Sequence, residues 1–306
     1  MPKPTYEYTL TDWKRLRPVT HTMKTWRYRA INRLYMRKPA RAGDPAEVAR
    51  AVAGRDVLVT IAFNDPEAIH WQAQLLGHYL PHVLHVIADN SSEEAASREI
   101  AEIAASSGSP YLNLPDNPWH AFSRSHGIAL NWVWCNVLRP GAPKAFGFLD
   151  DDLFPTGADD PFAPLETQNF FGVVREAGSR WFLWAGYCVF RFDAVKDKPL
   201  DFGQDWFIGL DTGGGNWDAL YRHADRARLR EAQSIFTGYK PGIDVHDGPV
   251  QWCGAWLHEV GTMGNPALAA DKRRVVAEIL SPHLAAADQA RLVDQRPGAA
   301  RRSDQA

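Results

Sequence analysis

Phe146–Phe154 reads FGFLDDDLF, an apolar run that ends in three consecutive carboxylates. The run has the look of a strand buried on both faces. Three adjacent acids at the end of such a strand repel one another and lose hydration, so a fold that keeps them needs a compensating partner. In an extended chain residues i and i+2 project to the same side. Asp150 and Asp152 can therefore converge on one divalent cation, while Asp151 points elsewhere or reaches a ligand. Oxygen ligands suit Mg2+ or Mn2+, which keep open positions for phosphate oxygens. The plainer alternative is a solvated acidic turn or a helix cap.

Upstream the same pattern recurs. Asp56–Phe63 (DVLVTIAF) is a continuous β-branched run that leads into Asn64-Asp65, and Val83–Ala88 (VLHVIA) leads into Asp89-Asn90-Ser91-Ser92. The spacing predicts helices from Pro66 to about His78, over Glu93–Ser106 and over Ser123–Leu138, a short strand at Pro110–Leu114 and another at Lys144–Leu149. Strands alternating with helices of this length imply βαβ units and a mostly parallel sheet, whose ligands bind at the carboxyl ends of the strands. All three polar clusters fall there. After residue 165 the segments shorten. Asn169–Glu176, Trp181–Trp184 and Gly186–Phe192 read as strands, Asp211–Gly215 as a Gly-rich turn, about Asn216–Ala232 as a long charged helix, and Trp252–Val260 as a last apolar segment.

The 306 residues carry a formal net charge of −2, but its distribution is lopsided. Residues 1–55 hold 13 Lys and Arg against 4 Asp and Glu, a net of +9, and the remainder carries −11. An acidic body repels phosphates over most of its surface, which argues against a nucleic-acid binder. The basic extension, residues 1–55, precedes a body expected at 56–265, with a C-terminal helix and tail over 266–306 and frayed ends from about Ala285. Within the extension Thr25–Lys38 can form a short basic helix. It is either a peripheral contact of residues 1–42 with an anionic membrane or an arm strapped over the body. No run of about 18 apolar residues is present and the start lacks an apolar signal core, so a cytoplasmic location is expected, with the arm as the means of peripheral contact at the inner face of a membrane. Cys135, Cys188 and Cys253 form no CxxC and read as reduced thiols.

The order of these pieces resembles the nucleotide-sugar-dependent glycosyltransferases of the GT-A fold, family 2 type. VLVTIAFND matches their opening strand and turn, and VIADNSSEE their second strand. Gly127-Ile128-Ala129-Leu130-Asn131 matches a G-x-A-x-N helix, and FLDDD the strand with its D-x-D motif. The resemblance covers about residues 56–265. It implies an α/β GT-A fold: a mostly parallel central sheet, helices on both faces and a small antiparallel addition. The implied activity is transfer of a sugar from a nucleoside-diphosphate donor to a glycan or other hydroxyl acceptor. Asp150 and Asp152 would hold Mn2+ or Mg2+ against the diphosphate.

The resemblance further implies a donor pocket of Phe63, Asn64, Asp89, Asn131 and Asp151, although Asp89 is equally placed to cap the helix that follows. Many relatives carry Arg before the helix Asn. This chain has Leu130 there, and Arg124 is the candidate for the missing charge. His258 in WLHEVGTMGN matches a late histidine that joins the metal shell, against the alternative of a locally satisfied side chain. Asp205 and Asp211 are the candidates for the catalytic base, with Asp211 favoured because Gly213–Gly215 lets backbone approach a ligand and Asn216 can cap the next helix. Trp181, Trp184, Trp206 and Trp217 are either an acceptor platform or core. A dehalogenase-type hydrolase needs a small residue where Phe154 stands. A sugar nucleotidyltransferase needs a Gly-rich, Arg-containing loop where AFNDPE stands. A non-catalytic nucleotide- or carbohydrate-binding module on the same fold is the remaining alternative.

Overall fold

The computed structural model describes residues 7–205, 207–261 and 266–294. Two units emerge that are woven along the chain. The first comprises the described residues up to Pro66 with Val83–Asp151 and Pro161–Ala232; the second comprises Glu67–His82, Asp152–Asp160 and the described residues from Gln233 on.

The first unit is built on strand β1, Asp56–Ala62, which is buried at every position after Asp56. Its uninterrupted apolar run follows from having strands on both edges. β2 (Leu84–Asp89) pairs with it in parallel on one side and β4 (Ala145–Asp150) on the other. β3 (Tyr111–Asn113) extends β2, while β7 (Arg180–Arg191) and β6 (Phe170–Ala177) add antiparallel strands beyond β4. The order is β3-β2-β1-β4-β7-β6, an α/β sheet that is parallel through its first four strands. Parallel neighbours cannot be joined by a hairpin, so the chain crosses over through α4 (Pro66–Tyr79), α5 (Glu94–Ser107) and α6 (Phe122–Val133). A π turn, Trp134–Leu138, and a short α7, Arg139–Gly141, finish the last crossover. Phe146, Phe148, Phe190 and Phe202 cluster in the core, with the Phe148 and Phe202 rings edge-on at 4.8 Å.

The basic extension is strapped to this unit by contacts that begin at Glu7, which pairs with Arg180 at 2.8 Å, and continue through Tyr35 and beyond. α1 (Leu10–Lys14) and α2 (Arg17–Tyr35) lead to α3 (Pro45–Val52), whose Val48 and Val52 enter the core with Tyr35. The Tyr35 hydroxyl donates to the Pro115 carbonyl at 3.0 Å, and the Trp132 indole donates to the Lys38 carbonyl at 3.1 Å.

The second unit has its own antiparallel sheet, β5-β10-β9-β8, made of Leu153–Pro155, Trp256–His258, Pro249–Cys253 and Ser234–Gly238. Its core joins Trp71 and Leu75 of α4, Phe154, Leu257, and Val276 and Leu280 of α9 (Pro266–Asp294). α9 remains helical through Asp294 despite Pro282, where the sequence suggests a frayed tail from 285. Buried contacts sustain it: Ala287 is covered, and the Gln74 amide reaches the Asp288 carboxylate at 2.5 Å.

Two other expectations are corrected. Trp181–Trp184 and Gly186–Phe192 form the single strand β7, because Ala185 packs into the core without a break. β7 is followed by α8, Phe192–Val195. Residues 216–232 form three separate 3-10 turns in place of a long helix. The residues this segment buries, Asn216, Leu220, Tyr221 and Ala232, do not follow helical spacing.

Removing the Tyr35 hydroxyl leaves a buried carbonyl without its donor. Tyr35→Phe is expected to lower the unfolding free energy by about 1–2 kcal/mol in urea titrations. An unchanged midpoint would show that the strap contributes nothing to stability.

Candidate active site

The strand register brings the ends of β1, β2 and β4 to one edge of the first unit. At the end of β4 the carboxylates part company. The Asp151 carboxylate accepts the Phe63 backbone N–H at 2.9 Å, which ties the end of β4 to the turn after β1. Asp150 lies 3.7 Å from Nδ1 of His126, whose Nε2 is buried with no hydrogen-bond partner among the described residues. Gly186 makes room for this arrangement. A Cβ there would stand 2.6 Å from the Asp150 carboxyl carbon and 2.1 Å from the Trp184 ring.

Asn64 adopts a left-handed φ of 53°, which asparagine tolerates better than most residues. Its side-chain oxygen accepts from the Ser92 and Glu93 N–H groups, so it satisfies donors at the start of α5 from another turn of the chain. Asp89 takes neither role expected for it. It is fully buried; one carboxylate oxygen accepts the Ser91 N–H at 2.8 Å and the other the Tyr111 hydroxyl at 2.8 Å. That carboxylate holds the turn closed and presents no surface to a base or ribose.

Gly127 and Asn131 sit one turn apart on the same face of α6. Against them lies the loop at Asp201–Gly203. A Cβ on Gly127 would come within 2.8 Å of the Gly203 Cα. The Asn131 amide donates to Asp201 at 2.7 Å and accepts the Phe202 N–H at 2.8 Å. Both ends of Asn131 are thus engaged within the chain, tying α6 to that loop. Arg124 stacks its guanidinium over Trp119 at 5.4 Å.

In the second unit Asp152 Oδ1 faces His258 Nε2 at 3.1 Å. The other ring nitrogen, Nδ1, lies 2.9 Å from Gln251 Oε1, and the Gln251 amide donates to Ser234 Oγ at 2.5 Å. With the amide so oriented, Nδ1 carries a proton, and Nε2 stands at hydrogen-bond distance from the carboxylate, donating to it when the ring is protonated. Burial alone would raise the Asp152 carboxyl; the facing histidine outweighs it and holds the group below the usual carboxylate range. The backbone is fixed nearby as well. Glu259 N–H donates to the Asp152 carbonyl at 2.9 Å, and its side chain pairs with Arg273 at 2.8 Å. Val260 takes a φ of 61°, a strained value for a β-branched residue. The buried Lys272 ammonium donates to its carbonyl and to that of Pro249. Gln251, Glu259, Lys272 and Arg273 carry no sequence signal, since each acts through a partner far away in the chain. His126 was legible only as one histidine among eleven.

Asp205 is buried. Desolvation pushes its carboxyl upward against the pull of the Arg180 charge, and its backbone bridges Leu210 in both directions. Asp211 is exposed, with Gln204 and Thr212 each 3.4 Å from one carboxylate oxygen. The triple glycine serves packing within the chain. Added Cβ atoms would stand 2.4 Å from the Leu183 carbonyl at Gly213, 2.3 Å from Leu210 at Gly214 and 2.5 Å from the Asp201 carbonyl at Gly215. Asn216 is fully buried and accepts the Asp201 N–H, so it caps no helix. Trp181 is core, and Trp217 lies under the Arg180 guanidinium. Trp184 remains beside Asp150, and Trp206 lies outside the described residues.

Because Asn131 spans Asp201 and Phe202, Asn131→Ala is expected to cost about 2–3 kcal/mol of stability without any ligand present. A urea midpoint equal to that of the parent chain would leave Asn131 among the ligand contacts.

No protein-family model matches the chain, and no curated protein matches it. Solved structures do resemble it. Glucosyl-3-phosphoglycerate synthase from Mycobacterium tuberculosis, in complex with Mn2+ and uridine-diphosphate-glucose, is 14% identical with a TM-score of 0.39, over 80% of this chain and 84% of its own. The mannosyltransferase PcManGT from Pyrobaculum calidifontis, in complex with GDP-Man and Mn2+, is 13% identical with a TM-score of 0.36, over 59% of this chain and 56% of its own. TarS from S. aureus is 13% identical with a TM-score of 0.35, over 50% of this chain and 32% of its own. The match therefore spans about a third of TarS and little more than half of the mannosyltransferase.

Proposed function

We propose that this chain is a metal-dependent glycosyltransferase that moves a sugar from a nucleoside-diphosphate donor to a hydroxyl acceptor. One observation carries the reading: the carboxylate of Asp152 and Nε2 of His258, whose other nitrogen is anchored, face each other at 3.1 Å. A proton on Nε2 joins the two groups, and a divalent cation that took its place would be held by both the carboxylate and the imidazole nitrogen. Asp150 joins them from two residues upstream, so Asp150, Asp152 and His258 form the set of donors. A mixed oxygen and nitrogen set fits Mn2+ better than Mg2+.

Bound there, Mn2+ supplies the charge that a departing diphosphate needs. The chain's own residues do the rest. Asp151, held by the Phe63 N–H, fixes the turn after β1 against the end of β4, and Phe63 and Asn64 form the adjoining lip of the donor pocket. Arg124 contributes charge toward the diphosphate from α6. Trp184, beside Asp150, carries the Arg175 guanidinium over its ring at 5.4 Å, and a sugar would stack on the other face. Asp211 is exposed where an acceptor can reach it, and it takes the hydroxyl proton as the oxygen attacks the anomeric carbon. Asp205 is buried and serves the loop. The body over residues 56–265 holds all of these groups.

Nucleoside diphosphates and nucleotide sugars should raise the unfolding temperature only with Mn2+ present, and a donor at a hundredfold its Kd should add about 2.7 kcal/mol. In Asp150→Ala combined with Asp152→Ala this metal-dependent shift should vanish while the ligand-free chain still unfolds cooperatively. A full shift in the double variant, or none in the parent with any donor, overturns the reading. Asp211→Asn should bind donor normally yet transfer on the order of a hundredfold more slowly or worse. Undiminished turnover would remove it as the base.

A further inference from the structure

We propose that α2 is an amphipathic anchor that lays this chain on an anionic lipid surface. α2 is inside out. Its inward face, at helical spacing, consists of Pro18, His21, Thr25, Tyr28, Asn32 and Tyr35 with Ile31 at its margin, mostly polar or part-polar side chains. These are accounted for: the His21 ring lies 4.1 Å from that of Phe207, Tyr28 packs on Trp119, and the Trp119 indole donates to Asn32. Its outward face is the apolar one. Val19, Met23, Trp26, Ala30 and Leu34 follow the i, i+4, i+7 pattern, with Trp26 74% exposed and Met23 67%. Leu16, also exposed, continues the line at the helix start.

A stripe of large apolar side chains held in water costs free energy unless something covers it. Its rim says what kind of cover fits. Arg27 flanks the stripe on one side and Arg29 and Arg33 on the other, all exposed. From Lys14 to Arg41 the chain carries ten Lys and Arg and not one Asp or Glu. A second copy seated on the same stripe would bring two such cationic rims together, at a Coulombic cost. Lipid headgroups with negative charge meet the rim, and the acyl region takes Trp26, Met23 and Leu34, the arrangement of a helix lying in the interface plane. Among the described residues no helix is long and apolar enough to cross a membrane, which matches contact with one leaflet.

Co-sedimentation of the full chain with vesicles tests this. Binding is expected to phosphatidylcholine vesicles containing phosphatidylglycerol, weakening steeply as salt rises, with little binding to phosphatidylcholine alone. Met23→Ser with Trp26→Ser should weaken binding on the order of tenfold or more through lost apolar burial. Arg27→Gln with Arg33→Gln should do so comparably through lost charge. All four positions are exposed, so both variants should keep the parent unfolding midpoint, and either one suffices if the other fails to fold. The proposal is overturned if anionic vesicles do not bind, if the serine pair binds as tightly as the parent, or if neutral vesicles bind equally well. It is also overturned if the serine pair instead abolishes a concentration-dependent dimer, because the stripe would then be a protein interface.

Discussion

The parallel pairing of β1 with β2 on one edge and β4 on the other is the constraint on which the first unit depends. A strand hydrogen-bonded on both edges and covered on both faces has no position for a polar side chain except at its ends. Thr60 is the one polar residue inside it, and it is satisfied by His85 of β2 at 3.0 Å. Parallel neighbours also start and stop in the same direction. Polarity excluded from the strand interiors is therefore collected at one edge, and Asn64, Asp89 and Asp150 arrive there from three distant parts of the sequence. The candidate site is a consequence of that exclusion before it is anything else.

Three successive aspartates would be untenable there if all faced one another. The chain separates them by giving each a different partner. Asp150 is set beside His126 in space kept open by Gly186; Asp151 accepts a backbone N–H; Asp152 enters the second sheet, where His258 faces it. The first and third each stand beside a histidine, and these are the two suited to a cation. The support behind His258 is unusually costly. It uses a buried glutamine, a buried lysine and a valine held at a left-handed φ, none of which improves packing. Strain and buried polarity concentrated behind one imidazole are what a fold carries when the direction of that nitrogen matters.

What the sequence made legible follows from the range of the interactions involved. β1, β2 and β4 announce themselves because burial on both faces leaves an unbroken apolar run, and Pro66 marks its helix because its fixed φ suits the first turn. Asp89 and Asn131 were legible as special residues but not as to their roles. Whether a carboxylate faces a ligand or Tyr111 depends on where β3 lies, which no local pattern records. The same limit explains residues 216–232. Their charge suggests a solvated helix, yet Leu220 and Tyr221 are pulled into the core and Asn216 is spent on Asp201. Conversely, Ala-rich α9 reads as a tail because its covering partners, Gln74 and Tyr79, stand some 200 residues earlier.

Charge segregation links the two ends of the argument. A nucleoside diphosphate is an anion, and the chain from residue 56 on carries a net of −11. Long-range steering cannot bring such a ligand in, and at physiological salt fields beyond about 8 Å are largely screened in any case. Any affinity for it must be local, through a cation at the carboxylates, through Arg124 and through the backbone donors at the strand ends. The +9 extension plays the opposite part. It is fastened to the first unit by Tyr35, Lys38 and Arg41, so its field cannot wander to the site, and its outward face combines arginines with bare apolar side chains. A surface of that kind does more for where the molecule sits than for what it binds at the strand ends.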